Sequence, residues 1–341
     1  MSKEKIKFQY DTHYYEGEKI SFNKQGLKLF YPPNFDKNKK YPAIVVTHPG
    51  GGAKEQCSSL YAWNLSQRGY VALAYDASHQ GESEGEPRFL EDPASRMEDI
   101  RSAVDYLITL SFVDEEKIGA LGICAGAGYT MSATQTDIRI KAAAGVSTWN
   151  PGHGVRFGNP GSYDENTLES ALKAVAAQRN KEARGEKPLY IGYIPSNEEE
   201  LSNEYYAGST IMKEAYEYYR TPRCQYPTSE NKLLFTSLDK LLGYDAFLYL
   251  DCVAPRALCF IIGERADTQY FSRNAFDKAH ASKELHIIKG ASHIDLYDKP
   301  EFTSQAIEKL NDFSTNIYKK DKNEINASNL CCIFNAQYMA F

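Results

Sequence analysis

The chain has 341 residues and seven cysteines, and one of the cysteines stands where a nucleophile could. Cys124 is the centre of Gly122-Ile123-Cys124-Ala125-Gly126. The apolar run before it reads as a strand, and the small-residue run after it as the start of a helix. Flanking glycines let strand and helix backbones approach closely, so the apex side chain projects above a sheet at a helix N-terminus. The dipole and free N–H groups there are expected to favour thiolate over thiol. A thiol is mostly protonated at neutral pH, so a nucleophilic cysteine needs a base, and the base needs an acid to orient it. Downstream, "ERADTQYF" offers Glu264 and Asp267, and "ASHIDLYD" offers His293. Asp267, four residues past Gly263, is preferred to Glu264, which directly follows that glycine. Nucleophile, acid and histidine thus occur in that chain order, each just beyond an apolar run.

A fourth part is "THPGGGAKEQ", whose consecutive glycines leave backbone N–H groups free. Gly50, with the N–H of Ala125, is the expected oxyanion hole, and Gly51 is the neighbouring choice. Other polar residues read as secondary. His48 reads as a hydrogen-bonded scaffold. His79, in "DASHQGES", and His153, in "NPGHG", are candidate substrate contacts. His13, His280 and His286 read as surface or packing residues, Cys252 and Cys259 as small buried hydrophobes, and Asp295 and Asp298 as solvated or capping groups.

These residues need elements to hold them. "ISFNKQGLKLFYP" alternates apolar and polar residues around Asn23-Lys24-Gln25-Gly26 and predicts a hairpin at a sheet edge. Apolar runs at 43–48, 71–77, 117–123, 141–147, 257–263 and 284–290 predict strands covered on both faces. In "PASRMEDIRSAVDYLITL", Met97, Ile100, Val104, Leu107 and Leu110 recur at helical spacing. Strands alternating with helices predict an α/β fold with a doubly wound, mostly parallel sheet. About a hundred residues separate Val146 from Ala257, far more than an ordinary connection. "TLESALKAVAAQR" carries Leu168, Ala171, Leu172 and Val175 at helical spacing, and "STIMKEAYEYYR" is a second helix candidate. Tyr190, Tyr193, Tyr205, Tyr206, Tyr216, Tyr218 and Tyr219 crowd this interval. It reads as a largely helical cap over the C-terminal edge of the sheet, with Tyr190 and Tyr193 as its substrate-facing wall. The expected organisation is a core at 1–149, a cap at 150–250, the second part of the core at 251–318, and a polar linker and tail at 319–341.

Composition narrows the function. Hydrophobic residues make up 42% and charged residues 25%, ordinary for a globular protein with a full core. A net charge of −6 argues against nucleic acid. No run approaches the ~20 apolar residues of a membrane span. No secretory signal is visible, and scattered cysteines in odd number suggest a reducing compartment, so a cytoplasmic location is expected. No zinc-ligand spacing occurs, and neither metal nor cofactor is expected. The expected partner is a small acyl substrate, and the sequence leaves homodimerisation open.

The motifs "HPGGG", "YDASHQGESEGEPR", "LGICAGAGY" and "GASHIDLYD" together resemble the α/β-hydrolase superfamily, specifically its dienelactone-hydrolase-like branch, in which a cysteine nucleophile is known. The resemblance covers about 20–148 and 255–318, leaving the insertion and tail outside. "DASHQGES" resembles the superfamily's D-x-x-G-x-G-x-S loop with a glycine missing and an insertion, and Asp76 and Ser83 there read as scaffolding. The expected activity is cleavage of an ester, lactone or thioester through an acyl-cysteine intermediate. A thiolate leaves more easily than an amine, so peptides suit such a site poorly. Acyl transfer by the same intermediate, or a non-catalytic binding or redox-responsive protein, are the alternatives.

Overall fold

The computed structural model describes residues 17–158, 165–203, 206 and 208–320. His13, Tyr205 and nearly all of the expected tail lie outside the described residues. The described residues hold ten strands: β1 (Glu18–Phe22), β2 (Gln25–Phe30), β3 (Tyr41–Thr47), β4 (Val71–Tyr75), β5 (Val113–Ile123), β6 (Ala142–Val146), β7 (Tyr190–Gly192), β8 (Lys232–Leu234), β9 (Ala257–Gly263) and β10 (Lys283–Ile288). Eight of them form one sheet in the order β1-β2-β4-β3-β5-β6-β9-β10. From β4 to β10 all neighbours are parallel, while the β1–β2 hairpin joins β4 antiparallel at one edge. Its turn is tighter than expected. Asn23 and Lys24 alone make it, at φ 47° and 67°, and Gln25 and Gly26 already belong to β2.

Alternation along each strand sorts side chains to two covered faces. On β3, Ile44 and Val46 face the helices Cys57–Ser66 and Pro300–Lys320, meeting Leu60, Leu65, Leu310 and Phe313. Ala43 and Val45 face the other layer, where the helices Pro93–Thr109 and Ala125–Thr136 supply Ile100, Val104, Leu107, Tyr129 and Met131. The expected stripe on Pro93–Thr109 is buried at Ile100, Val104 and Leu107. Met97 and Leu110 are only partly covered at its ends.

Between β6 and β9 lie the helices Pro151–Phe157, Glu165–Ala183, Glu198–Leu201, Thr210–Arg220 and Leu238–Leu242, together with an antiparallel β7–β8 pair. Only part of the predicted stripe on Glu165–Ala183 is used: Val175 is buried but Leu172 is 45% exposed. That helix lies on the surface of the insertion, with its apolar face only partly covered. Cys259 is buried as expected, whereas Cys252 is exposed, and the five described cysteines are free.

Two loops at the C-terminal ends of β3 and β4 are locked by charge. Lys54 Nζ donates to Asp76 Oδ2 at 2.7 Å and to Glu82 Oε2 at 2.8 Å, and the Lys54 N–H donates to Asp76 Oδ1 at 2.8 Å. Lys54 and Asp76 are both fully buried. Ser83 Oγ donates to the Asp76 carbonyl and accepts the Gly26 N–H, so this loop also grips the hairpin. Removing one partner of a buried pair strands the other charge, at about 3–5 kcal/mol. Lys54→Met is therefore expected to lower unfolding stability by about that amount in urea titration; a loss below ~1 kcal/mol would show that Asp76 is satisfied without it.

Candidate active site

The elbow is built by close approach. A Cβ on Gly122 would stand 2.3 Å from Ala127 Cα, and one on Gly126 would stand 2.4 Å from the His48 carbonyl oxygen. Only hydrogen fits at either position. Between them Cys124 adopts φ 55° and ψ −122°, a region side-chain-bearing residues rarely occupy, directly before the helix Ala125–Thr136. Its N–H donates to the Val146 carbonyl at 3.0 Å, and its carbonyl accepts the Trp149 N–H at 3.0 Å, so β6 holds the strained apex.

Cys124 retains some solvent exposure. Burial by its surroundings nevertheless pushes the thiol above its ordinary value, against smaller lowering contributions from the Tyr297 hydroxyl, the Ala125 N–H and Arg96. The expected preference for thiolate is therefore reversed in this geometry. The helix terminus is present, but desolvation outweighs it.

His293 is buried, and the structure surrounds it differently from the sequence expectation. Its Nε2 lies 3.2 Å from the Tyr297 hydroxyl, which also reaches the Cys124 thiol. Its Nδ1 is hydrogen-bonded to Thr268 Oγ1. Among the described residues no hydrogen bond joins Asp267 to His293. The Asp267 carboxylate instead accepts the backbone N–H groups of Thr268 and of Ile211, the latter on the insertion helix Thr210–Arg220. Glu264 accepts the Gly290 N–H at 2.9 Å. With no carboxylate beside it, burial lowers the His293 imidazole to about 3.

The glycine loop reaches the apex. A Cβ on Gly50 would stand 3.6 Å from Ala125 Cβ and 3.2 Å from the Tyr193 ring. The Gly50 N–H donates to no backbone carbonyl among the described residues. His48, at the start of this loop, is a neutral scaffold: Nδ1 faces the Pro49 carbonyl at 2.6 Å, and Nε2 accepts from Ala77 N–H at 3.0 Å and Arg96 Nη1 at 3.1 Å. Burial and the Arg96 charge hold its imidazole well below the usual range.

Of the expected substrate contacts, Tyr193 alone sits at this centre. Tyr190 packs edge-on against Phe89 at 5.9 Å and lines a surface groove with Arg220, Glu230 and Lys232. The two tyrosines are three residues apart around the β7 strand end, and their rings diverge. His79 folds into its own loop, with Nδ1 3.0 Å from the Pro87 carbonyl. His153 packs tilted against Phe157 and Tyr270 and edge-on against Phe271. Asp298 is not solvated: it pairs with buried Arg223 of the insertion at 2.6 and 3.0 Å. Asp295 does cap, accepting the Ser292 N–H at 3.0 Å. Tyr297 and Thr268 were missed by sequence reading. Tyr297 follows His293 by one helical turn, the spacing at which two side chains meet.

Comparison with known proteins agrees with this architecture. Residues 31–176 match the model of the dienelactone hydrolase family. Protein YcjY of Escherichia coli is 40% identical over 286 residues, covering 84% of this chain and 92% of that protein. The chain belongs to the dienelactone hydrolase family. It is an α/β-hydrolase enzyme of the kind that acts on ester-type bonds. The solved structure of protein PA2218 from Pseudomonas aeruginosa superimposes with a TM-score of 0.83 at 32% identity, covering 93% of this chain and 98% of the other. A thiohydrolase of Eupenicillium brefeldianum is 25% identical over 274 residues, covering 79% and 84%. Among the described residues no helix is long and apolar enough to cross a membrane, and no cluster of side chains could hold a metal ion.

The buried imidazole has a thermodynamic signature. His293 is held at about 3 when folded, against an ordinary value of 6.5. Between those values the unfolded chain binds the proton and the folded chain does not, so stability is full above about 6.5 and falls as pH drops towards 3. His293→Gln is expected to flatten the slope of unfolding free energy between those values by up to ~1.4 kcal/mol per pH unit. Urea titrations at several pH values check it, and an unchanged slope would mean that the folded state accepts the proton.

Proposed function

We propose that the protein cleaves an ester or thioester through an acyl-cysteine intermediate, with Cys124 as nucleophile, His293 as base and Asp267 as the acid behind it. The observation that carries this reading is the strained apex at Cys124, with an imidazole linked to it through one hydroxyl and a glycine loop beside it. The thiohydrolase relative supports a thioester among the substrates.

In this mechanism the thiol proton passes to the Tyr297 oxygen as Tyr297 passes its own proton to His293 Nε2. The sulfur attacks the carbonyl carbon, and the N–H groups of Gly50 and Ala125 hold the oxygen that becomes negative. The carbon–oxygen or carbon–sulfur bond then breaks, and the leaving group takes the proton back from His293 by the same route. Water, deprotonated by His293, releases the acid and restores the thiol.

An imidazole held near 3 is a weak base, and a neutral threonine on Nδ1 does little to stabilise its charged form. A carboxylate there does so strongly. Asp267 adjoins Thr268, and its carboxylate serves once it turns from the Ile211 N–H towards the ring. The insertion helix that donates that N–H therefore competes with the imidazole for the acid.

Cys124→Ala is expected to abolish turnover of a chromogenic acetate ester and an acetyl thioester while leaving the unfolding transition in place; full activity in that variant overturns the nucleophile. In the unliganded protein, alkylation of Cys124 by iodoacetamide is expected to be slow at neutral pH and to rise only above pH 9, because burial raises the thiol. Asp267→Asn is expected to cost orders of magnitude in kcat, as loss of the orienting acid does (~10⁴ in a serine triad), and Thr268→Val far less. If Thr268→Val is the inactive variant and Asp267→Asn works, the hydroxyl is the orienting group and Asp267 only anchors the loop.

A further inference from the structure

Beside the oxyanion position lies a group of polar side chains that the mechanism does not use. Arg96, in the first turn of the helix Pro93–Thr109, is 2% exposed, as is Glu91. Arg96 spends Nη1 and Nη2 on His48, at 3.1 Å to the ring nitrogen and 3.0 Å to the carbonyl. Its Nε stands 3.4 Å from Glu91 Oε1, yet neither atom has hydrogen-bond geometry with any partner. Tyr129, fully buried, lies under the Arg96 guanidinium with its ring centroid 4.9 Å away, and its hydroxyl is also without a partner. The hydroxyl of Tyr193, whose ring rests on Gly50, also lacks full hydrogen-bond geometry, and its polar neighbour is the Glu91 carboxylate.

Around the Arg96–Glu91 ion pair these four buried polar atoms lack hydrogen-bond geometry, which is uncommon in a folded protein because each such group loses its water without full replacement. They are a mixed set. Arg96 Nε donates, Glu91 Oε1 accepts, and the two hydroxyls do either. Charge within the set is balanced, since Arg96 and Glu91 cancel and His48 is neutral. A balanced set does not call for an anion. It matches an uncharged oxygen, which a hydroxyl satisfies as both donor and acceptor and a ketone as acceptor. Tyr129 is one turn past Ala125 on the same helix, and Tyr193 touches Gly50, so this oxygen sits only a few atoms from the carbonyl under attack.

We propose that Glu91, Arg96, Tyr129 and Tyr193 form a subsite for a neutral hydroxyl or keto oxygen on the acyl chain, so that oxygenated acyl groups are taken in preference to plain alkyl ones. The proposal rests on the ester- or thioester-cleaving reading of Cys124 for its catalytic consequence, but the subsite itself is a binding property.

The test compares N-acetylcysteamine thioesters of 3-hydroxyhexanoic and hexanoic acid, with the succinic half-thioester as the anionic counterpart. The expected wild-type result is a kcat/KM at least about tenfold higher for the hydroxy substrate than for the other two. Tyr129→Phe and Tyr193→Phe, which remove one oxygen each, should bring the hydroxy-to-alkyl ratio towards one. Equal rates on all three in the wild type, or ratios unmoved in both variants, overturn the subsite. Calorimetric binding of 3-hydroxyhexanamide and hexanamide to the Cys124→Ala protein reads the same preference without chemistry. If no thioester is cleaved, the catalytic reading fails. The subsite then stands if the hydroxyamide binds more tightly and falls if the two amides bind alike or not at all.

Discussion

The site depends on how closely two backbones approach at the end of β5. With no side chain at Gly122 or Gly126, the helix Ala125–Thr136 starts against the strand and against the glycine loop at once. That contact fixes Cys124 in a conformation it would not choose, and the hydrogen bonds to Val146 and from Trp149 hold it there. The strain is supported from β6, the neighbouring parallel strand, rather than by the elbow itself. It also places Ala125 beside Gly50, so the proposed nucleophile and the proposed oxyanion donors come from a single packing event.

Around this apex the protein uses buried charge instead of apolar filling. Lys54 with Asp76, Arg96 with Glu91 and His48, and Arg223 with Asp298 each fasten a loop at the C-terminal edge of the sheet. Such pairs contribute little net stability against well-packed hydrophobes, but they fix loop geometry, since a mispaired buried charge is costly. Their placement has chemical consequences. Arg96 is close enough to pull the Cys124 thiol down while desolvation pushes it up. Among the described residues no negative partner offsets desolvation at His293.

The insertion takes part in this arrangement through particular contacts. Asn231 and Ser229 donate to the Gly51 carbonyl, and Tyr218 accepts the Cys57 N–H at 3.0 Å. The Tyr218 ring meets Tyr297 edge-on at 5.2 Å. Ile211 holds Asp267 by a backbone N–H. The Tyr297 hydroxyl-bearing ring and Asp267 therefore each touch a segment from the insertion. A shift of the helix Thr210–Arg220 would act on Asp267 and on Tyr297 together.

Local sequence determined a good deal here. Apolar runs with turn residues between them specify buried parallel strands, because such a strand needs cover on both faces, and the strands at 71–75 and 257–263 lie where those runs predict. Glycines around Cys124 specify the elbow, because backbone proximity is a short-range matter. The order of Cys124, the acidic segment and His293 along the chain was equally legible. What only the tertiary structure decided is which atoms meet. Tyr297 stands between thiol and imidazole, Thr268 takes the nitrogen expected for Asp267, Tyr193 reaches the apex while Tyr190 turns away, and Arg96 and Glu91 are buried with atoms unspent. Rotamers and loop orientations are set by contacts between segments separated in the chain, by 25 residues for Thr268 and His293 and by more than a hundred for Tyr193 and Gly50. Desolvation, which reversed the expected thiol preference, exists only once those segments have closed over one another.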